Sequence, residues 1–456
     1  MAALVGASAA WGHAVDKPSA SRWRERRGFF PEGVASGDPD SHSVLLWTRR
    51  APGTAPASQL TLEVSLDSAF QHVVAEQSVP LSAASDWTCR VLVGHLKPAT
   101  VYWFRFSDAD GNGSRIGRTI TAPAESDPRG VRFAFVSCQN ANMGAMNAYR
   151  RMIFEDEKAR EDERLSFVLH LGDFIYEMVF YPEDRPTYYA RKTRDIVRYA
   201  NGEKIGSFHI PTTLDDYRAV YKSYLHDPDL QDARARWPFV PMWDNHEFSW
   251  LGWQGFQVFQ GKTRNTQTLK VAANQAFFEF QPARMAQPGS ASLEHFDPPT
   301  VVNAPVTTFD EHGLGQEPNN LTAIHSLKGH RTLRWGRNLD LIITDQRSFR
   351  SEDPGSRKET DPLGDKDFGQ FTPEEIMHIL DGGRAYNGGK PPDSIRYGDV
   401  TIPNFRRNEP PQTILGQEQK AWFLKELARS KATWKIWGST TPTLQMRADP
   451  QNLPEG

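Results

Sequence analysis

Five short apolar runs constrain this chain most: "VRFAFV" (131–136), "FVLHL" (167–171), "PFVPMW" (238–243), "LDLIIT" (339–344) and "WKIWG" (434–438). Each is too short for a helix and largely apolar, the mark of a strand in a largely buried sheet. Helix-like segments lie between them. Met146, Tyr149 and Ile153 recur at helical spacing, followed by "TLDDYRAVYKSYL" (213–225) and "GQEQKAWFLKELARS" (416–430). Strands alternating with helices predict an α/β domain with a largely buried sheet. Four of the five runs then end in reactive side chains. These are Ser137–Cys138–Gln139–Asn140, Gly172–Asp173, Asp244–Asn245–His246–Glu247 and Asp345–Gln346–Arg347. Ligands of open α/β sheets collect outside the carboxyl ends of the strands, and four such endings exceed what turn chemistry alone requires.

The first third has a different texture. From residue 30 to 123 short β-like runs ("SVLLWTR", "LTLEVSL", "TCRVLVGHL", "TVYWFRFSD", "RIGRTITAP") are separated by turn formers such as "DADGNGS" (108–114). That pattern predicts an antiparallel β-sandwich. "APAESDPRG" (122–130) serves as a boundary, so a catalytic α/β domain is expected over 130–456 and the whole is α+β. The Pro-, Gly- and Asn-rich segment 285–325 is expected as a surface insertion. Residues 1–29 are signal-like or disordered: "MAALVGASAAWGHA" offers Ala-x-Ala-like cleavage options but no basic leader. A secreted or periplasmic location is the corresponding expectation. Among 456 residues the net charge is −3, which supplies no global field for nucleic acid or anionic membrane. No run is long enough to span a bilayer, and a monomer is expected. In "FEDEKAREDERL" (154–165) a solvated helix face is expected, with Asp156 and Arg160 spaced to pair.

The residue types at the strand ends suit metal chemistry. Asp173 can bridge two cations, Asn245 offers a neutral oxygen, and His246 a nitrogen or a proton. Cys138 and Tyr176 are strongly donating anions that favour a trivalent or borderline-soft ion over magnesium. "GDFIYE" with "WDNHEF" resembles the signatures of the calcineurin-like metallophosphatases. The finer set is similar to the PhoD-type alkaline phosphatases: "GVASGDPDSHSVLLWTR", "FVSCQN", "LHLGDFIYE", "LDDYRAVY", "DPDLQDARARWPFVPMWDNHE", "LDLIITDQRSFR" and "GQEQKAWFLKEL…ATWKIWG". The resemblance runs from about Phe30 to Arg447 in seven ordered blocks. It implies hydrolysis of phosphate esters at a site of ferric iron (Fe3+) and calcium (Ca2+). Cys138 and Tyr176 would bind iron, Asp173 would bridge both ions, and Asn245 would bind calcium where many relatives carry Asp. His246 would meet the leaving group or the developing charge, while Arg347 and Arg350 would hold substrate phosphate. The mechanism implied is attack by metal-activated hydroxide, without a phospho-enzyme.

Several alternatives stay open. Cys138 could pair with Cys89, and Asp345 with Arg347 could be a simple strand-end salt bridge. His170, inside its strand, is expected as a hydrogen-bonded core histidine. The aromatic run "FSWLGWQGFQVF" (248–259) is expected as a packed lid rather than a stacking platform, and the aspartates of "DPDLQD" as turn and cap residues. Rival functions are a phospholipase D-like phosphodiesterase and a degenerate, non-catalytic secreted binding protein. In the resembling family a further strand should end in a Gly-Asp-x-His motif whose Asp and His complete the metal shells. No such motif occurs here, and "YGDVTI" (397–402) lacks the His. The expectation is therefore a catalytic domain lacking its last strand and motif, with weak metal binding, little hydrolysis and a tendency to aggregate.

Overall fold

A computed structural model describes residues 16–53, 56–188, 190–290, 292–363 and 372–441. The signal-like start and the segment from 442 onward lie outside the described residues. In the N-terminal third the strands are β1 (Val34–Gly37), β2 (Val44–Arg49), β3 (Gln59–Ser65), β4 (Val73–Pro80), β5 (Thr88–Val93), β6 (Val101–Ser107) and β7 (Gly117–Ile120). One antiparallel sheet runs β4–β3–β6–β7, and β1–β2–β5 pair antiparallel in a second. Leu62, Val64, Phe104 and Phe106 of the first sheet meet Val34, Val44, Leu46 and Val91 of the second in one core. This is the sandwich the sequence predicts.

The boundary is not a break in the structure. Strands β8 (Phe133–Val136), β9 (Phe167–Leu171) and β10 (Pro238–Met242) are parallel, and β10 pairs in parallel with β1. A single six-stranded sheet, β8–β9–β10–β1–β2–β5, therefore spans both regions. Period-2 alternation explains why β2 reads as continuously apolar: Val44 and Leu46 enter the sandwich core, while Trp47 enters the larger core on the other face. There the Trp47 indole N–H donates to the Glu279 carbonyl at 2.6 Å. Gly37 sits at the seam, where a Cβ would fall 1.8 Å from the Pro282 carbonyl oxygen. Only glycine permits that approach.

Helices α1 (Asn147–Lys158), α2 (Leu214–Leu225), α3 (Pro228–Arg236) and α4 (Gln267–Phe280) supply much of the large core. Asp227 caps α3 by accepting from the amides of Asp229 and Leu230, with Pro228 in the first turn, so the "DPDLQD" aspartates include a true cap. On the opposite face of the big sheet lies a three-stranded one, β11 (Arg331–Trp335), β12 (Leu339–Ile343) and β13 (Trp434–Gly438), flanked by α5 (Gln417–Arg429). Phe167 joins the two sheets: it stacks on Phe133 at 4.8 Å and meets Trp335 at 5.1 Å.

Two expectations need correction, and one open alternative is resolved. Asp156 is not on a solvated face paired with Arg160. The helix ends at Lys158, and Asp156 is buried, bonded to Arg236 at 2.8 Å and to the Leu165 amide at 2.6 Å, while Arg160 pairs with Asp162. His170 is a core histidine but is not hydrogen-bonded: both ring nitrogens are buried without a partner. Burial, with Arg234 nearby, pushes its pKa down to about 3, so the neutral ring packs as an aromatic, 5.1 Å from Phe174. Cys89 and Cys138 are both free, the first buried and the second exposed. The Gly398–Asp399 step of "YGDVTI" forms the turn of a small hairpin between Ser394–Tyr397 and Val400–Pro403.

Among the described residues β8 and β13 are the end strands of their sheets. The alternation that turns Phe133 toward Phe167 also turns Phe135 to the gap between the sheets, where it is 72% exposed. Trp434, paired in register with Leu339, is 66% exposed. Open apolar strand edges promote self-association. Replacing Phe135 with Lys should reduce self-association in sedimentation velocity while changing stability by less than about 0.5 kcal/mol. Gly37→Ala, by contrast, should cost more than about 2 kcal/mol in chemical denaturation, because backbone must move at the seam.

Candidate active site

The strand ends after β8, β9, β10 and β12 converge, as their sequence endings predict. Their arrangement is forced by one buried carboxylate. Glu247 accepts the amides of Asp173 at 3.0 Å and Asp244 at 2.7 Å through Oε2, and of Phe174 at 2.5 Å through Oε1. It thereby fastens the β9 turn to the β10 turn. Asp173 and Cys138 both adopt left-handed backbone angles, φ 54° and 56°. Non-glycine residues seldom do so, and such strain gathers at functional sites. Gly172 between the strands has φ 85°, and a Cβ there would meet the Asp244 backbone nitrogen at 2.5 Å. Helix α2 supports the loops from behind. The Tyr224 hydroxyl accepts the amides of Ala141 and Tyr176, and the Tyr217 hydroxyl donates to the Phe248 carbonyl.

Cys138, Asp173 and Tyr176 meet: the thiol touches both the carboxylate and the phenol. Partial desolvation raises the pKa of each, and the neighbouring Asp173 charge raises those of Cys138 and Tyr176 further. Asp244 pushes Asp173 the same way, against the pull of His246. A multivalent cation among the three would reverse these penalties and favour every charged form. This donor set fits one such ion. Asn245 is otherwise engaged, its amide oxygen accepting from Arg347 at 3.1 Å and its amide nitrogen donating to the Trp250 carbonyl at 2.6 Å. Asn245 does not complete a second ion's shell in this arrangement. Among the described residues no group of three or more His, Cys, Asp or Glu stands ready to hold a metal.

His246 lies against this group, its ring stacked on Tyr176 at 4.0 Å and its amide 3.3 Å from Asp173 Oδ1. Its Nδ1 is 2.6 Å from Glu177 Oε2. Burial alone would lower the imidazole pKa, but the buried Glu177 carboxylate overrides it and holds the pKa above the ordinary value. The free Nε2 is thereby kept as a proton donor.

Arg347 does not pair with Asp345 through its guanidinium. Asp345 Oδ1 instead accepts the amides of Arg347 and Ser348 and the Trp243 indole, all at 2.9 Å. The Arg347 guanidinium bonds Asp244 at 2.6 Å and Asn245 at 3.1 Å. Arg350 is buried near it, 3.8 Å from Asp353, and burial and the Arg347 charge lower its pKa. Two neighbouring guanidiniums, one with so distant a carboxylate, make a locale that favours an oxyanion.

Sequence reading assigned no role to Glu177, Glu247 or Asp244, although each stood inside a quoted motif. The available signal was a carboxylate flanked by apolar residues, as in "IYEMVF" and "NHEF". The aromatic run 248–259 divides: Phe248, Trp253, Phe256, Val258 and Phe259 are buried, as a packed lid requires, whereas Trp250 and Leu251 are exposed. Because Glu247 Oε2 accepts two amides, Glu247→Gln must turn an N–H toward an N–H or leave a buried donor unpaired. The substitution should cost about 2 kcal/mol in denaturant unfolding.

Residues 133–455 match the family model described as PhoD-like phosphatase, and residues 16–123 match that of the PhoD-like phosphatase N-terminal domain. Alkaline phosphatase D of Bacillus subtilis (strain 168) is 27% identical over 416 residues, covering 89% of this chain and 55% of that protein. The solved structure of PhoD is 25% identical with a TM-score of 0.59, covering 92% of this chain and 62% of the other. This chain thus spans somewhat more than half the length of the relatives it matches. The ordered strand-end motifs, the fold and the family match agree: the chain belongs to the PhoD-like phosphatase family.

Proposed function

We propose that this chain is a phosphoric ester hydrolase, cleaving phosphomonoesters and also accepting diesters, with its chemistry at the Cys138–Asp173–Tyr176–His246 cluster. One observation carries the reading: an imidazole oriented by a buried carboxylate stands beside a thiol, a carboxylate and a phenol, next to the Arg347–Arg350 pair. That combination suits a dianionic ester whose oxygens must be neutralised and whose leaving oxygen must gain a proton. Arg347 and Arg350 hold the phosphate oxygens. For Arg347 this means exchanging its bonds to Asp244 and Asn245 for bonds to substrate. His246 presents Nε2 to the leaving oxygen and gives up its proton there, while Glu177 fixes the ring and supports its charge.

Cys138, Asp173 and Tyr176 would hold ferric iron. Asp173, with Asn245 once Arg347 has let go, would hold calcium. Such ions would neutralise phosphate oxygens and make water at the site more acidic. We further propose that the protein works outside the cytoplasm, as its signal-like start suggests.

His246→Ala is expected to lower turnover of an aryl phosphate roughly 100- to 10,000-fold while iron content stays near that of the unaltered protein. Equal losses of metal and turnover would refute the assigned role. If Cys138 and Tyr176 donate to ferric iron, the iron-loaded protein should absorb in the visible, and Tyr176→Phe should shift or remove much of that band. Full iron loading without colour would refute this pair as ligands.

A further inference from the structure

Trp250 and Leu251 stand apart from the rest of the aromatic run. Ser249 to Gly252 form a tight turn, with the Gly252 amide donating to the Ser249 carbonyl at 2.7 Å. The turn is closed enough that a Cβ on Gly252 would fall 2.9 Å from Ser249. Trp250 and Leu251 occupy its two corner positions, which project outward and ordinarily carry small or polar residues. Here they carry two large apolar side chains, 39% and 40% exposed.

The corner is fixed to the reaction centre at both ends. The Trp250 amide donates to Glu177 Oε1 at 2.6 Å, and the Trp250 carbonyl accepts from the Asn245 amide at 2.6 Å. The second oxygen of that same Glu177 carboxylate orients His246. Scattered exposed apolar residues are common. Two adjacent ones on a turn pinned through Glu177 to His246, and through Asn245 to the Arg347 guanidinium, form a shelf beside the reaction centre.

We propose that Trp250 and Leu251 make this shelf a specificity determinant, selecting phosphate esters whose leaving group carries an aromatic or otherwise apolar portion. The proposal rests on the phosphoric ester reading and names its substrate class. An aryl group laid on the indole gains stacking and desolvation that a methyl group cannot.

Calorimetric titration of the metal-retaining protein with phenylphosphonate and methylphosphonate tests it without requiring turnover. The unaltered protein should bind the phenyl compound roughly three- to tenfold more tightly. In Trp250→Ala the ratio should fall to about one through loss of phenylphosphonate affinity alone, and Trp250→Phe should keep most of it. A ratio near one in the unaltered protein, or one unchanged in Trp250→Ala, would overturn the shelf. If neither phosphonate binds and no ester is hydrolysed, the ester reading itself falls. That outcome is distinct from binding without discrimination.

Discussion

The site depends on the Glu247 carboxylate, which gathers three backbone amides from two different strand ends. Each amide would otherwise be a buried donor without a partner, a condition that costs about 1–3 kcal/mol. By taking all three, Glu247 allows Asp173 to keep its left-handed backbone and sets the turn from which His246 projects. Burial and the Asp173 charge push the Glu247 pKa upward. The opposing stabilisation comes from the amides it accepts. Glu177 performs a related task, joining His246 to Trp250. Two buried carboxylates therefore decide where Asp173 and His246 stand.

The N-terminal sandwich enters this arrangement through the sheet. Because β1 pairs with β10, the strand that delivers Asp244, Asn245 and His246 is held on one side by the sandwich and on the other by β9. Trp47 and Arg90 reinforce the seam, the latter stacking over Phe278 at 3.9 Å and donating to the Ala283 carbonyl at 2.6 Å. Burial lowers the Arg90 pKa to about 9, and its guanidinium is satisfied by backbone carbonyls of the segment after α4. The sandwich thus forms one wall of the large core.

Much of this was legible in sequence because strand alternation and strand-end chemistry are local. The apolar runs, the parallel order and the convergence of Cys138, Asp173, Tyr176 and His246 all follow from them. What was not legible depends on distant pairing. Nothing near Val34–Gly37 announces that β1 will meet Phe239, since a two-faced apolar strand serves a sandwich and a larger sheet equally well. Asp156 resembled a surface residue because its partner, Arg236, lies 80 positions away. Arg347 was singled out but its partner was not, because Asp345 sits two residues off while Asp244 arrives from another sheet. The exposure of Trp250 and Leu251 within a buried aromatic run depends on one tight turn, which composition does not reveal.

The most direct test of the central claim is where a phosphate mimic comes to rest. A crystal structure with orthovanadate or tungstate bound should place the oxyanion against the guanidiniums of Arg347 and Arg350, within hydrogen-bond reach of His246 Nε2 and beside Asp173. Arg347 should then be turned away from Asn245. An oxyanion bound elsewhere, with Arg347 still locked to Asp244 and Asn245, would contradict the account.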